Sequence, residues 1–495
     1  MASPDSPPST PSNRDPRDEA DWRFETNGTA CEWGESYHPG GYHPVVLGDV
    51  LNERYRIIRK LGYGAFSTTW LAVDQSSNCF AAVKVPVARL DSDTVDRNLA
   101  VYRSLSEIYD RHIVGLRDSF EVLGPNGRHT CLVMDPMGPH ISALLKRRPE
   151  FQDQNLEPWD RRPRFPKSLA HRVLRDTLLG LHTLHQQGIV HGDLHPGNIL
   201  ANITIPSLRR PPDDSSALGL QQPASEGYLL RRLDGKVDRW APLYLLEPSP
   251  LQELVSFQLD PVVKLADLGA AFFDRNPPAT VVTPVALRAP EAILITAQIP
   301  FGKGVDIWAF GCLVFELLTG RALFMRLESL DGYAGSDEQT NDEHLIQVSE
   351  ILGPLPEALA AHWRRRDQYY GPDGKRLEES RIAAGRDGSS IGDSGDEDRG
   401  DSDNGDGEDN DGNGEDEATP PDSPTSEAGQ SRSSFSLVDP GDFSPLENEF
   451  RALKPDDMGE EEVEEVVQMM RWILQLDVSK RPSAEAVLAH PWFSL

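Results

Sequence analysis

The chain has 495 residues, of which 38% are hydrophobic, and its formal net charge at pH 7 is −30. This acidic excess excludes a general binder of nucleic acid or of anionic membranes, because both surfaces repel negative charge. Four widely spaced cysteines without a Cys-x-x-Cys pair exclude a disulfide scaffold and a zinc ribbon, and are typical of a reducing compartment. The first residues contain no apolar core, so we expect neither a signal peptide nor a membrane anchor.

The N-terminal part changes character near residue 38. Residues 1–37 are rich in Pro, Ser, Asp and Arg, a composition that predicts a disordered arm. Strand-forming residues separated by turn signals then predict three strands, Tyr55–Leu61, Thr68–Val73 and Phe80–Val85. Further along, the apolar spacing of Ser168–Gln187 predicts an amphipathic helix.

Two segments interrupt the second half of the chain. Residues 201–255 are irregular and read as an insertion, after which order resumes at Val262–Ala271. Residues 366–440 read as a disordered insertion, since positions 387–417 carry fourteen acidic residues against one arginine. Between and after them, a buried helix is predicted over Gly304–Thr319 and a final helix over Glu461–Leu476.

A glycine-rich loop lies between the first two predicted strands, in Leu61-Gly-Tyr-Gly-Ala-Phe-Ser67. Gly62 and Gly64 let the backbone approach a phosphate, and Ser67 occupies the third glycine position of the usual G-x-G-x-x-G. Such a loop alone could be a plain hairpin turn, and Lys84 alone a lysine at a strand edge. Together they favour phosphate binding, because the α- and β-phosphates of a nucleotide need a cation there.

The strongest local signal is the segment from Ile189 to Leu200, which contains His-Gly-Asp-Leu-His-Pro-Gly-Asn. Phosphoryl transfer needs an acceptor for the hydroxyl proton, Asp193, and a neutral oxygen ligand for Mg²⁺, Asn198. The alternative is a solvated turn. Asp267, in Lys-Leu-Ala-Asp-Leu-Gly, argues against that alternative because it supplies a second hard oxygen ligand for Mg²⁺.

These pieces, in this order, resemble the eukaryotic protein kinases. Three downstream segments strengthen the resemblance: Arg288-Ala-Pro-Glu291, Asp306-Ile-Trp-Ala-Phe-Gly311 and Lys480-Arg-Pro482. The resemblance implies an α+β, bilobal kinase fold, with a small β-rich lobe at 38–138 and a larger helical lobe at 139–495. It also implies ATP and Mg²⁺ as cofactors and a catalytic role for Asp193, Lys84 and His195. The ATP contacts that it implies are Leu61, Gly62, Gly64, Ser67, Lys84, Asp135 and Met137, and the metal ligands Asn198 and Asp267.

Within the kinases the chain is similar to the SR-protein kinase group. Three features carry this similarity: the segment from Tyr42 to Tyr55, the separation of 69 positions from Asn198 to Asp267, and Asp342-Glu-His-Leu345. It implies phosphorylation of serine in basic, Arg/Ser-rich proteins such as splicing factors, and constitutive activity. It further implies a monomer in cytoplasm and nucleus, without a direct nucleic-acid or membrane partner. The acidic excess fits a basic substrate, and equally fits a solvated surface.

Several positions depart from the family pattern. Asn98 stands where the family has the glutamate that pairs with the lysine, and helical spacing directs Asp96 and Glu107 elsewhere. His195 replaces a lysine, which predicts a slower kinase whose rate depends on pH near neutrality. Thr283 lies one position off the threonine that marks serine/threonine specificity.

Two other functions stay open at this point. Asn98 and His195 favour a pseudokinase that binds nucleotide or acts as a scaffold without turnover. The string around Asp193 also resembles kinases of aminoglycosides or choline, although Arg288–Glu291 and Arg481 argue against them.

Overall fold

The computed structural model describes the chain in ten segments, namely residues 9–11, 21–25, 29–108, 110–151, 163–203, 220–258, 260–294, 302–325, 337–377 and 444–494. The chain divides into two units, Met1–Trp363 with Ser444–Leu495, and Arg364–Phe443. In the second unit the described residues form a short 3-10 helix, Arg366–Gln368, and a bridge between Tyr370 and Arg376.

The N-terminal lobe is built on an antiparallel sheet, in which six strands of the described residues are ordered β1-β2-β3-β4-β6-β5. The strands are β1 Val50–Leu51, β2 Tyr55–Gly64, β3 Ser67–Asp74, β4 Cys79–Pro86, β5 Leu116–Gly124 and β6 Gly127–Met134. One helix, α1 (Ser92–Ser106), follows β4. It begins at Asp91, whose carboxylate accepts a hydrogen bond from the Thr94 N–H at 2.8 Å. The three strands predicted from the sequence are confirmed, since they coincide with β2, β3 and β4.

The C-terminal lobe is mainly helical. Its helices are α2 Ile141–Arg147, α3 Lys167–Gln186, α4 Pro290–Ile293, α5 Gly304–Thr319, α6 Asp337–Leu352, α7 Glu357–Ala360, α8 Leu446–Leu453, α9 Glu460–Ile473 and α10 Ala484–Leu488. The predicted helices correspond to α3, α5 and α9. Almost every side chain of α5 is buried, and Trp308 stacks on Phe324 with ring centroids 5.9 Å apart. This helix forms the centre of the lobe.

Short two-stranded ladders position the chemically interesting segments of this lobe. Strand β8 (Ile199–Ala201) pairs with β11 (Val263–Leu265), and β7 (Ile189–Val190) pairs with β12 (Phe272–Phe273), both antiparallel. Asp193 and Asn198 lie between β7 and β8, and Asp267 lies between β11 and β12. The two ladders therefore bring all three residues to one place.

The N-terminal arm differs from its prediction. Residues 21–25 and 29–37 are ordered, with Phe24 and Tyr37 buried against Ala241 and Leu245. Arg23 explains part of this order, since its guanidinium pairs with Glu35 at 2.9 Å and with Asp238 at 3.1 Å. Of the rest of the arm, the structure describes only the short piece 9–11. Residues 1–8, 12–20 and 26–28 lie outside the described residues.

The predicted insertion at 201–255 is also folded where it is described. Residues 220–255 contain β9 (Tyr228–Leu229) paired with β10 (Tyr244–Leu245), and Trp240 is buried. This part packs on the N-terminal lobe, because Gln222 N–H donates to Ile58 O at 3.0 Å and Ser249 N–H donates to Lys60 O at 2.9 Å. The acidic insertion lies outside the described residues from 378 to 440.

Candidate active site

A buried carboxylate organises the loop that carries Asp193. Asp306, at the start of α5, accepts hydrogen bonds from His191 N at 2.8 Å, Gly192 N at 2.9 Å and His185 Nε2 at 2.9 Å. Burial alone would raise the pKa of Asp306, but the hydrogen bond and charge of His185, with the Gly192 N–H, outweigh it and lower that pKa. The loop is thereby held by an ionised group.

The loop places Asp193, His195 and Asn198 beside one another. The Asn198 amide Nδ2 donates to Asp193 O at 2.9 Å and to Asp193 Oδ2 at 3.2 Å, which leaves its Oδ1 as an acceptor. His195 Nδ1 accepts from Gly197 N at 3.0 Å, so a neutral His195 carries its proton on Nε2, which lies 3.7 Å from Asp193 Oδ2. All three predicted residues of this loop thus come together.

Lys84 and Asp267 meet across the cleft between the lobes. Lys84 Nζ donates to Asp267 Oδ1 at 2.6 Å, and Gly269 N donates to the same oxygen at 3.2 Å. The charge of Lys84 is the main cause that lowers the pKa of Asp267. Asp267 has a left-handed φ of 57°, a conformation that aspartate tolerates better than most residues. Lys84 therefore pairs with a candidate metal ligand rather than with α1.

Helix α1 offers Lys84 no carboxylate. Asn98 Oδ1 is buried and has no hydrogen-bond partner, while Asp96 and Glu107 are exposed. One turn further along, Tyr102 is buried, and burial together with the charge of Asp267 raises the pKa of its hydroxyl. Tyr102 is therefore one of the residues through which α1 approaches the Asp-Leu-Gly segment.

The predicted ATP contacts lie on two neighbouring features of the N-terminal lobe. Leu61, Gly62 and Gly64 are at the end of β2, and Ser67 opens β3. Asp135 and Met137 directly follow β6, whose Leu132 pairs with Lys84 of β4. Met137 is buried, and Asp135 forms an ion pair with Arg117. The structure places both sets around the strand that carries Lys84.

The segment from Asp267 to Glu291 is tied to the catalytic loop and to the helical lobe. Thr283 Oγ1 donates to Gly192 O at 2.7 Å, although its sequence position is shifted by one from the family threonine. Arg288 donates to Thr283 O at 2.7 Å, and His344 Nε2 donates to Arg288 O at 2.9 Å. Burial is the main cause that lowers the pKa of His344 to about 4, so this histidine is neutral at pH 7.

The end of this segment is closed by a buried ion pair. The Arg481 guanidinium donates to both oxygens of Glu291, at 2.6 and 3.0 Å, and both side chains are 1% exposed. Arg481 also donates to Gly304 O at 2.8 Å and lies over the Trp308 ring, 5.1 Å from its centroid. The three motifs that sequence analysis singled out downstream thus contact one another.

Comparison with known proteins decides the family. The sequence profile of the protein kinase domain matches residues 55–208 and 254–493. This chain belongs to the protein kinase family. The profile leaves out both the N-terminal arm and most of the 201–255 insertion.

Relatives of this kinase are SR-protein kinases. The serine/threonine-protein kinase SRPK of Physarum polycephalum is 30% identical over 361 residues, which cover 70% of this chain and 77% of the relative. Protein kinase dsk1 of Schizosaccharomyces pombe is 28% identical, covering 66% and 71%, and SRSF protein kinase 3 of Homo sapiens is 25% identical, covering 69% and 79%. The chain is therefore a serine/threonine protein kinase of the SR-protein kinase group.

A solved structure agrees with this fold. The crystal structure of the kinase domain of PF14_0431 has a TM-score of 0.54 and 21% sequence identity, and covers 91% of this chain and 98% of its own. Among the described residues, no helix combines the length and apolar character needed to cross a bilayer.

The sequence did not predict the contacts of three residues, two in the site and one directly before the glycine loop. Tyr42 O–H donates to Gly64 O in the glycine loop at 2.6 Å, Tyr102 contacts the Asp267 segment, and Lys60 forms a fully buried ion pair with Glu32. None lies in a chemical motif. A lysine inside the apolar strand Tyr55–Gly64 was the one available signal, because a buried lysine requires an anionic partner.

Proposed function

We propose that this kinase transfers the γ-phosphate of ATP to serine in basic, Arg/Ser-rich proteins, and so acts on splicing factors. The observation that carries the catalytic part is the convergence of Asp193, Asn198, Asp267 and Lys84 in one cleft. The substrate class is supported by the relatives, one of which is called an SRSF protein kinase, and by the charge of −30, which suits a cationic partner.

The residues present suit ATP and Mg²⁺. A Cβ added at Gly62 or Gly64 would meet nothing within 4 Å, so the loop has an open face where phosphates can approach. Two hard oxygen ligands would hold the metal, Asn198 Oδ1 and the carboxylate of Asp267. The Asp267 side chain is 44% exposed and therefore accessible to a metal ion. Bound Mg²⁺ supplies neutralisation of the charge on the phosphate oxygens.

The remaining steps belong to the protein's own side chains. Lys84 would bind the α- and β-phosphates, while the carboxylate of Asp267 beside it would hold the metal. Asp193 orients the serine hydroxyl, which attacks the γ-phosphorus in line, and accepts its proton as the bond to ADP breaks. His195 takes the sequence position at which the family has a lysine, and its Nε2–H group lies beside Asp193 as a hydrogen-bond donor.

The substrate class is tested with two peptides that share the same serines. One carries Arg/Ser repeats, and in the other alanine replaces each arginine. We expect transfer from labelled ATP to the first peptide to exceed transfer to the second by at least about tenfold, as for loss of a desolvated charge pair. Equal transfer to both would refute the basic-substrate proposal but not the kinase activity.

A pseudokinase is the second candidate, and the unpaired Asn98 Oδ1 favours it. ATP binding without transfer to either peptide, or to any protein in an extract, would support that candidate. Transfer to choline or an aminoglycoside instead of peptide would identify a small-molecule kinase.

A further inference from the structure

Tyr42 is held rigidly, although it lies outside residues 55–208 and 254–493, which match the profile of the protein kinase domain. Its N–H donates to Ser36 O at 3.1 Å, and its carbonyl accepts from Asn126 Nδ2 at 2.6 Å. The ring packs edge-on against Tyr37 with centroids 5.5 Å apart, and the residue is 6% exposed. Backbone and ring are therefore both fixed by their neighbours.

The hydroxyl of this fixed ring contacts the exposed glycine loop. Tyr42 O–H donates to Gly64 O at 2.6 Å, while Gly64 and Ala65 are exposed. The peptide unit between Gly64 and Ala65 is planar and trans, so its carbonyl and its N–H point in opposite directions. A hydroxyl that holds the carbonyl therefore directs the Ala65 N–H away from Tyr42.

The same segment is bonded to the strand that carries Lys84. Ala88 N donates to Gly41 O at 3.1 Å, and Arg89 N donates to Gly40 O at 2.8 Å, just beyond the end of β4. Val87 N donates to Phe66 O at 2.9 Å at the tip of the loop. The loop and the strand of Lys84 thus share one support, of which Tyr42 is the part that contacts Gly64.

We propose that Tyr42 is a positioning residue for the nucleotide phosphates. It orients the Gly64–Ala65 peptide so that the Ala65 N–H donates a hydrogen bond to the β- or γ-phosphate of ATP. The residue acts through the loop backbone and does not touch the nucleotide. This inference rests on the proposed function, because it assumes that the cleft binds ATP.

The test compares ATP with adenosine, which lacks the phosphates. In the full chain, Tyr42→Phe should weaken ATP-Mg²⁺ binding roughly fivefold, the effect of one neutral hydrogen bond, and leave adenosine binding unchanged. The matched control is Tyr228→Phe, which removes a hydroxyl that donates to Glu247 Oε1 at 3.1 Å in the insertion. Its affinity for both ligands should equal that of the wild type.

Two results would overturn this assignment alone. Unchanged ATP affinity in Tyr42→Phe would show that the hydroxyl does not support the loop. Equal weakening of ATP and adenosine would show a general structural role instead of phosphate positioning. A wild type that binds no ATP would refute the proposed function together with this inference, whereas one that binds ATP but phosphorylates nothing would refute only the transfer activity.

Discussion

Replacing Asp306 by asparagine removes a charge at the residue that holds the catalytic loop. Asp306 is 1% exposed, and its two oxygens accept three hydrogen bonds from His185, His191 and Gly192. An asparagine has the same shape, but it keeps only one of the two oxygens and places an NH₂ group at the other position. At least one of the three N–H groups that now donate to Asp306 would then face this NH₂ group, which is itself a donor. Losing that charge-assisted bond and leaving a buried N–H unsatisfied should lower the free energy of unfolding by about 3 kcal/mol.

The same substitution should slow phosphate transfer, because Asp193 directly follows Gly192. A displacement of about 1 Å at a catalytic group can reduce a rate by roughly 100-fold, so we expect kcat to fall by one to two orders of magnitude. Urea unfolding and peptide phosphorylation measure the two effects. The control is Asp93→Asn, an exposed position in the first turn of α1, which should leave kcat unchanged and lower the free energy of unfolding by at most about 1 kcal/mol. Wild-type stability and kcat in Asp306→Asn would refute the role given to this carboxylate.

Three further predictions concern other parts of the site. Asn98→Glu should raise kcat several-fold, because a carboxylate on α1 would attract Lys84 away from Asp267; an unchanged or lower kcat would contradict this reading. Arg481→Met should destabilise the kinase by about 3–5 kcal/mol, since it leaves Glu291 as a buried unpaired charge, and adding Glu291→Leu should restore much of that loss in urea unfolding. Finally, the hydrogen bond from Arg54 lowers the pKa of Asp74, and the pKa of Asp306 is also lowered. Both carboxylates therefore stabilise the folded protein fully above their ordinary pKa of 3.8, and this contribution is lost as the pH falls towards the pKa values of the folded state. Burial lowers the pKa of His344 to about 4, so below the ordinary histidine value of 6.5 the proton binds to the unfolded chain and not to the folded one, which lowers stability. The urea midpoint should therefore decline from about pH 6.5 downwards and fall more steeply below about pH 4; an unchanged midpoint between pH 7 and 5 would contradict it.

That the candidate catalytic residues lie together could be predicted because each lies in a short contiguous motif. The string around Asp193 and the segment around Asp267 combine residue types that phosphoryl transfer needs. In the structure, the ladders β7–β12 and β8–β11 bring the two segments together. Helix α5 was equally clear, because an almost wholly apolar stretch can only be buried.

Contacts between distant segments could not be predicted. A composition rich in Pro, Ser, Asp and Arg predicts a disordered arm, yet Phe24 packs against Ala241 and Leu245, more than 200 positions away. The ion-pair partner of Lys84 could not be predicted either. The sequence shows that Asn98 carries no charge, but it does not show that Lys84 pairs with Asp267 instead. Thr283 Oγ1 reaches Gly192 O in spite of its shifted sequence position, a contact that only the folded structure reveals.

The central claim is that this kinase transfers phosphate through Asp193 despite Asn98 and His195. It is tested most directly by incubating the wild type and Asp193→Ala with labelled ATP, Mg²⁺ and an Arg/Ser-repeat peptide, with ATP binding measured on both proteins. We expect label on the peptide with the wild type and none with Asp193→Ala, while both bind ATP with similar affinity. Equal labelling by the two proteins would refute the role of Asp193, and ATP binding without labelling by the wild type would identify a pseudokinase.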